Sequence, residues 1–460
     1  MSNKPIASRM VVILLAARLG GRCACASDPD PSTLEHMKSR LITIPQGIEL
    51  VLKNSRMIKV AIPDNAMSFQ DSLLARSALL PQLSGYLNKT FNSTAPGMIF
   101  DSLSIETGDR NPLTYGFDVY QTIFDFGKSL NAFRASKESY KATQAHTESV
   151  KRLAVLEFII AYFNVLEAEK MISVFEKEAE SLNAYLRDIE QLYAHGSAVE
   201  NDLLPAKVRL ADAKQKLITA RNNQEIAIAR LNNILALPLR EKIRVQDIAM
   251  TIPELPDMGK AWNAAMTLRP EIVFYEGQIK ASALTQKAKA VENLPVVYAD
   301  TGYAHQQNRF ATHEDTWSVE LGAKVNLYDG GAARAQLVKE RDRQKKLDEE
   351  KGKLIEDIKF EIEDSYYGLE NACEKVRVAK DALEQAGENV RFYRIKYNAG
   401  GATTTDVLEA ISLQTRAQAN YFTAEYEMRR NYAKLMYSAG VDLPMIYEKM
   451  ESINDKSSRP

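Results

Sequence analysis

Hydrophobic and polar positions follow three different rhythms along this chain, and each rhythm predicts a different element. From Trp317 to Leu327 they alternate strictly. Trp317, Val319, Leu321, Ala323, Val325 and Leu327 fall on one face, and Ser318, Glu320, Gly322, Lys324 and Asn326 on the other. Leu113, Tyr115, Phe117 and Val119 alternate in the same way with Thr114, Gly116, Asp118 and Tyr120. A period of two is that of a β-strand, whose successive side chains point to opposite faces. The segments after Leu80-Pro81 and Leu294-Pro295 alternate less cleanly, so two strands around a loop are expected at each place. The rhythm then turns helical. Residues Lys128 to Ala194 contain neither glycine nor proline, and Ala332 to Asn398 contain no proline. At 1.5 Å of rise per residue each stretch predicts a helix about 100 Å long, a length that suits coiled-coil architecture rather than a globular core.

After each long helix a heptad pattern appears. Leu203, Leu210, Leu217 and Leu231 recur at multiples of seven, accompanied by Ala206, Ala213, Ala220 and Ala227. Val407, Met428 and Leu435 do the same beside Ala410, Ala417 and Ala424. Apolar seams at this spacing predict supercoiling, and the alanine column permits close backbone approach. Weaker helical patterns cover 46–78 and 258–293, the first with Pro63, where a kink or break is expected.

The elements come twice. "YAHGSAVENDLLPA", from Tyr193 to Ala206, and "YNAGGATTTDVLEA", from Tyr397 to Ala410, agree at six of fourteen positions. "IFDFG" at 123–127 answers "LYDGG" at 327–331, and "LNNILALPL" at 231–239 answers "LMYSAGVDL" at 435–443. All three matches share one offset, which marks an internal duplication. The expected organisation is a first repeat over 46–240, a linker over 241–257 containing Pro253 and Pro256, a second repeat over 258–443, and a polar mobile tail over 444–460. Between the Leu-Pro pair and the Asp-x-Gly turn the first repeat carries extra residues, "NSTAPGMIFDSLSIETGDRNP", expected to be a loop. Residues 1–26 read as a cleavable export signal. Lys4 and Arg9 precede the apolar run "MVVILLAA", and Ala24 and Ala26 carry the spacing of a processing site. An N-terminal segment, 27–45, follows.

Charge and chemistry narrow the classes. Lys plus Arg number 59 against 60 Asp plus Glu, so no basic excess points to nucleic acid. Removing the leader takes away four basic residues and no acidic one, moving the net charge from −1 to −5. Of the three cysteines, Cys23 and Cys25 lie in the leader, which leaves Cys373 without a disulfide partner. The five histidines show no metal-like spacing, and no phosphate loop, nucleophile signature or cofactor motif appears. An enzyme is not expected. Four strands with one apolar face cannot close a barrel, and an open edge in lipid leaves backbone groups unsatisfied at several kcal/mol each. Either the strands form a soluble sandwich, or several chains share one barrel.

The ordered set "LPQL", "IFDFG", the Tyr-x-x-Gly…Asp-x-Leu-x-Ala motif and "LNNILAL", then the same again, resembles the TolC-like outer membrane efflux proteins of Gram-negative bacteria. The likeness spans about 46 to 443. It implies a mainly α fold with β: long coiled-coil helices plus four strands per chain. Three chains would form a 12-stranded outer-membrane β-barrel above a periplasmic α-helical tunnel. It also implies export of small molecules or proteins with a periplasmic adaptor and an inner-membrane transporter, and no cofactor. By the same resemblance, Gly196 and Gly400 fall at the turns closing the tunnel's periplasmic tip, and Asp406 and Glu409 at the acidic positions ringing its constriction. Tyr397 and Asp202 match a tyrosine and an aspartate partner that hold the family's closed state. The basic residue of that set falls at Ala402, which has no charge to give, so a closed state held more loosely, or by other residues, is expected. Pro205 stands where the second repeat has Glu409, so only the second repeat can build the acidic pair. The competing reading is a periplasmic coiled-coil adaptor or structural rod without a pore.

Overall fold

The computed structural model describes residues 41–457 except 102, 197, 198 and 249. The expected leader, with Cys23 and Cys25, and the segment up to residue 40 lie outside the described residues. The chain opens with β1 (Leu41–Ile42), α1 (Ile44–Asn54) and α2 (Arg56–Ser77), followed by β2 (Gln82–Lys89), β3 (Gly97–Phe100), β4 (Leu103–Glu106) and β5 (Leu113–Phe124). Next come α3 (Lys128–Ala194), α4 (Glu200–Ile234), β6 (Arg244–Val245), α5 (Met258–Leu268) and α6 (Pro270–Ala290). The second half holds β7 (Val296–Gln306), β8 (Asp315–Lys324), α7 (Ala332–Asn398), α8 (Thr404–Ser438) and α9 (Leu443–Ser457). The series α2-β2-β5-α3-α4 is thus repeated as α6-β7-β8-α7-α8.

β2, β5, β7 and β8 form one antiparallel sheet in that order, so the two copies join along β5 and β7. The register puts Phe117 beside Tyr303 and Tyr303 beside Trp317. These rings touch, with Phe117 and Trp317 edge to face at 5.8 Å. Val119, Thr301 and Val319 make the next row of the same face, on which Leu83, Trp317, Val319 and Leu321 are all exposed. The opposite face carries Ser84, Asp118, Gly302 and Ser318 in register. The sheet has an apolar and a polar side, and among the described residues the outer edges of β2 and β8 have no strand partner.

Each hairpin hands its chain to a long helix through an Asp-x-Gly turn. Asp125 Oδ1 accepts from Gly127 N at 3.1 Å and its Oδ2 from Ser129 N at 2.7 Å. Asp329 repeats the arrangement with Gly331 N at 2.9 Å and Ala333 N at 2.7 Å. The aspartate satisfies N–H groups that the helix start would leave unpaired. α3 and α7 then run as unbroken 67-residue helices. Near the sheet α3 packs with α2 and α6, and α7 with α6. Further along, α3 pairs with α4 and α7 with α8, while α3 also meets α8.

The main core lies midway along the helices. Phe158, Ile159, Tyr162 and Phe163 of α3 pack there with Tyr426 of α8. The Tyr162 hydroxyl lies 2.9 Å from the carbonyl of Ile42 and 2.6 Å from that of Gln246, stapling β1 and the segment after β6 to α3.

Four expectations give way here. The stretch read as a linker contributes β6, which pairs in parallel with β1, and Asp247, which binds Arg429 at 2.7 Å. The stretch read as a polar mobile tail is α9 as far as residue 457. Its Leu443 and Tyr447 are buried in the main core, with Ile446 and Met450 packed against it. That apolar stripe has helical spacing, but polar residues outnumber it. The extra residues of the first repeat contain the hairpin β3–β4, in which Met98 pairs with Ile105 and Phe100 with Leu103. Finally, α2 runs through Pro63, and the break falls at Ser55 (φ −52°, ψ 130°). Pro63 is exposed, so water can satisfy the carbonyl its missing N–H would have met.

Candidate functional site

The two coils end in equivalent turns. α3 stops at Ala194 and the chain reverses through Gly196 (φ +71°), whose N–H donates to the carbonyl of Tyr193 at 3.0 Å. α7 stops at Asn398 and reverses through Gly400 (φ +73°), which donates to the carbonyl of Tyr397 at 3.0 Å. Beyond the adjoining residues of the chain, no atom of the described residues lies within 4 Å of where a Cβ would stand on either glycine. The residue type is therefore demanded by the left-handed backbone and not by crowding.

The aspartates start the returning helices. Asp406 and Thr403 form a reciprocal cap. Asp406 Oδ2 accepts from the Thr403 N–H at 2.7 Å and from its hydroxyl at 2.7 Å, while Thr403 Oγ1 accepts from Asp406 N at 3.3 Å. These hydrogen bonds hold the Asp406 carboxyl below its ordinary value. In the first copy Val199 stands at the cap. Only half of the box forms there, with Asp202 Oδ2 accepting from Val199 N at 3.3 Å. Glu409 follows Asp406 by three residues and is exposed. Its Oε2 lies 3.6 Å from Arg209 Nη2 on α4. The two carboxylates are near neighbours on α8, but each has its own partner within the chain.

Tyr397 and Asp202 are not brought together. The Tyr397 hydroxyl accepts from Thr404 Oγ1 at 3.5 Å, and its ring stands edge-on to Tyr185 at 5.5 Å. Asp202 is turned back to its own helix cap, and buried Thr404 takes the place beside the tyrosine. Ala402 lies half-buried in the second turn and, having only a methyl side chain, makes no polar link. Beneath the turns Leu182, Tyr185 and Ile189 of α3, Leu210 of α4, Val390 of α7, and Val407 and Ile411 of α8 form one buried cluster. Burial pushes the Tyr185 hydroxyl well up from its usual range. Higher up, Lys216 reaches Glu178 at 3.3 Å across the first coil, and Arg394 Nη2 donates to Ser181 Oγ at 2.6 Å between α7 and α3. Burial pushes the Glu178 carboxyl up, against the pull of Lys216. Sequence reasoning missed Tyr185, Arg209 and Glu178. The available signal for Arg209 was its place beside the heptad residue Leu210 on a helix that must face another coil.

Among the described residues no group of His, Cys, Asp and Glu is placed to hold a metal ion. The arrangement is a two-faced sheet continued by long paired helices whose far ends close in tight turns. That architecture defines a channel-tunnel protein of the TolC type. The outer membrane efflux protein family matches over residues 47–237 and 265–441, and the chain belongs to that family. It is an outer-membrane export protein of Gram-negative type, with a periplasmic helical part. Among its relatives, the alkaline protease secretion protein AprF of Pseudomonas aeruginosa is 21% identical over 408 residues, covering 86% of this chain and 84% of that one. The outer membrane efflux protein BepC of Brucella suis is 22% identical, covering 82% and 79%. Among solved structures, the outer membrane protein VceC of Vibrio cholerae superposes with a TM-score of 0.77 at 16% identity, over 86% of this chain and 96% of that one.

Proposed function

We propose that three copies of this chain close one 12-stranded barrel in the outer membrane, continued by a periplasmic tunnel that opens and shuts at the Gly196 and Gly400 turns. The observation that carries this reading is the pair of open edges, β2 and β8, on a sheet with one apolar and one polar face. In hydrocarbon such edges must be paired, and copies of the same sheet pair them without a new surface. The helices support the same assembly. α2 exposes Val60, Met67 and Leu74, and α7 exposes Phe360, Tyr367 and Val378, so apolar side chains remain free on outlying helices of the protomer.

At the tip, Asp406 and Glu409 of each copy would line the constriction. Three copies gather six carboxylates, a ring that favours cations. An inner-membrane transporter and a periplasmic adaptor would complete the export path. The relatives' names cover both protease secretion and efflux, and nothing in a polar tunnel wall selects between them. Small-molecule and protein export are therefore both open to this component, with choice of cargo left to the transporter. A rod without a pore explains neither the sheet nor its open edges.

Conductance of the trimer in planar bilayers tests the gate. Ala402→Arg should lower conductance by adding a donor at the turn, and Asp406→Ala should weaken cation preference. If both variants conduct like the parent, the constriction lies elsewhere.

A further inference from the structure

The first and second coils belong to different repeats. Near the tip they meet through α3, which packs on α8 and takes a hydrogen bond from Arg394 of α7 at Ser181, and through a narrower contact of α4 with α8. The residues that α4 and α8 give to the buried cluster there are apolar: Ala206, Leu210 and Ala213 on α4, and Val407, Leu408, Ala410 and Ile411 on α8. The polar contacts of each helix are directed elsewhere. On α4, Lys207, Lys216 and Arg221 all turn to carboxylates of α3. On α8, Arg430 turns to Glu167 of α3, Arg429 to Asp247, and Glu427 to Lys375 of α7. Among the described residues one polar link joins α4 to α8, the pair Arg209–Glu409 at 3.6 Å. It engages one of the two carboxylates assigned to the constriction.

We propose that Arg209 is the cation of this chain's periplasmic gate. Its pair with Glu409 latches α4 to α8 in the closed state. It also neutralises half of the acidic charge that each protomer presents to the pore. The inference rests on the gate reading above and adds to it a residue from the opposite repeat. Parting α4 from α8 breaks this bond, and nothing else polar has to break between them. Both side chains are about half exposed, at 47% and 57%, so a single pair is weak and screened by salt. Three copies act on one gate. At about twofold each, within the range for exposed pairs, they multiply to roughly eightfold in the closed-to-open ratio.

The experiment is a double-mutant cycle on the intact trimer in planar bilayers, read as open probability and as cation-over-anion permeability. Arg209→Ala should raise open probability roughly eightfold at low salt and strengthen cation preference. Glu409→Ala should raise opening equally and weaken cation preference. The double variant should open no more than either single, and the reversed pair, Arg209→Glu with Glu409→Arg, should close the gate again. Opening effects that simply add in the double variant, or a reversed pair that stays open, would overturn the latch. If Asp406→Ala and Glu409→Ala shift permeability while Arg209→Ala is silent, the gate reading stands and the latch falls. If neither acidic variant shifts permeability, the gate reading itself fails and takes the latch with it.

Discussion

Placing an arginine at Val319 tests the orientation of the sheet, on which the barrel depends. β8 spans Asp315–Lys324, and Val319 lies near its middle on the face shared with Thr301 and Val119. Ten residues rising about 3.3 Å each, tilted by about 40°, cover roughly 25 Å, the height of an outer-membrane barrel's apolar band. In the proposed barrel Val319 would sit near the bilayer midplane, and its 85% exposure in the single chain would become exposure to lipid. An arginine there costs about 2–4 kcal/mol per copy, falling to about 0–1 kcal/mol near either interface. Per copy this is roughly a 30- to 700-fold shift against insertion, and every copy in a trimer incurs it. Ser318→Arg is the control, one residue away on the polar face, where the side chain reaches water. The assay is the yield of heat-modifiable trimer in outer-membrane fractions, with urea titration of whatever assembles. Val319→Arg should assemble poorly, Ala323→Arg nearer the strand end should assemble better, and Ser318→Arg should match the parent. Equal loss from Ser318→Arg and Val319→Arg, or none from Val319→Arg, would refute the assignment of faces.

Further outcomes follow from particular contacts. Gly400→Ala should cost about 1–2 kcal/mol in urea unfolding through backbone strain alone, because φ is +73° and the space beside it is open. Gly47→Ala should cost more, since its added Cβ would overlap the buried Phe158 ring. Tyr447 is 1% exposed and its hydroxyl has no hydrogen-bond partner among the described residues, so Tyr447→Phe should leave the melting temperature unchanged or raise it. Tyr447→Ala should lower stability by about 3–5 kcal/mol, as other large-to-small changes of aromatic core residues do. Burial alone would raise the Asp247 carboxyl, yet Arg429 and Lys170 hold it below its ordinary value. A group depressed in the folded state stabilises above its unfolded value of about 3.9 and loses that contribution as pH falls through the folded value. Thermal melts between pH 3 and 7 should therefore show a loss of stability at the acid end that Asp247→Asn reduces.

The long helices and the strands were legible because their signals are local. A run from Lys128 to Ala194 without a breaker, or strict alternation through Trp317, Val319 and Leu321, needs no knowledge of the rest of the chain. The glycine turns were legible for the same reason, since a left-handed residue between two helical patterns is a property of a few bonds. Asp406 and Glu409 could be singled out by resemblance, but their hydrogen-bond partners could not. The capping role of Asp406 is written in the Thr403-to-Asp406 spacing. The pairing of Glu409 with Arg209 depends on how two coils, 200 residues apart in sequence, lie against each other. Within this single chain the expected Tyr397–Asp202 link does not form. Which hydroxyl or carboxylate reaches a tyrosine across an interface depends on displacements of an ångström or two, and buried Thr404 is nearer.

Length, duplication, the two-faced sheet and the positions of the turns were thus determined by the chain's own periodicities. Tertiary structure alone decided that β6 joins β1, that α9 buries Tyr447 in the main core, and that β3 and β4 pair within a stretch of loop composition. It alone gave Arg209 a partner. Period and backbone preference act over a few residues and repeat along the sequence. The partner of an edge, an aromatic ring or a lone charge is chosen through space, after the helices have packed.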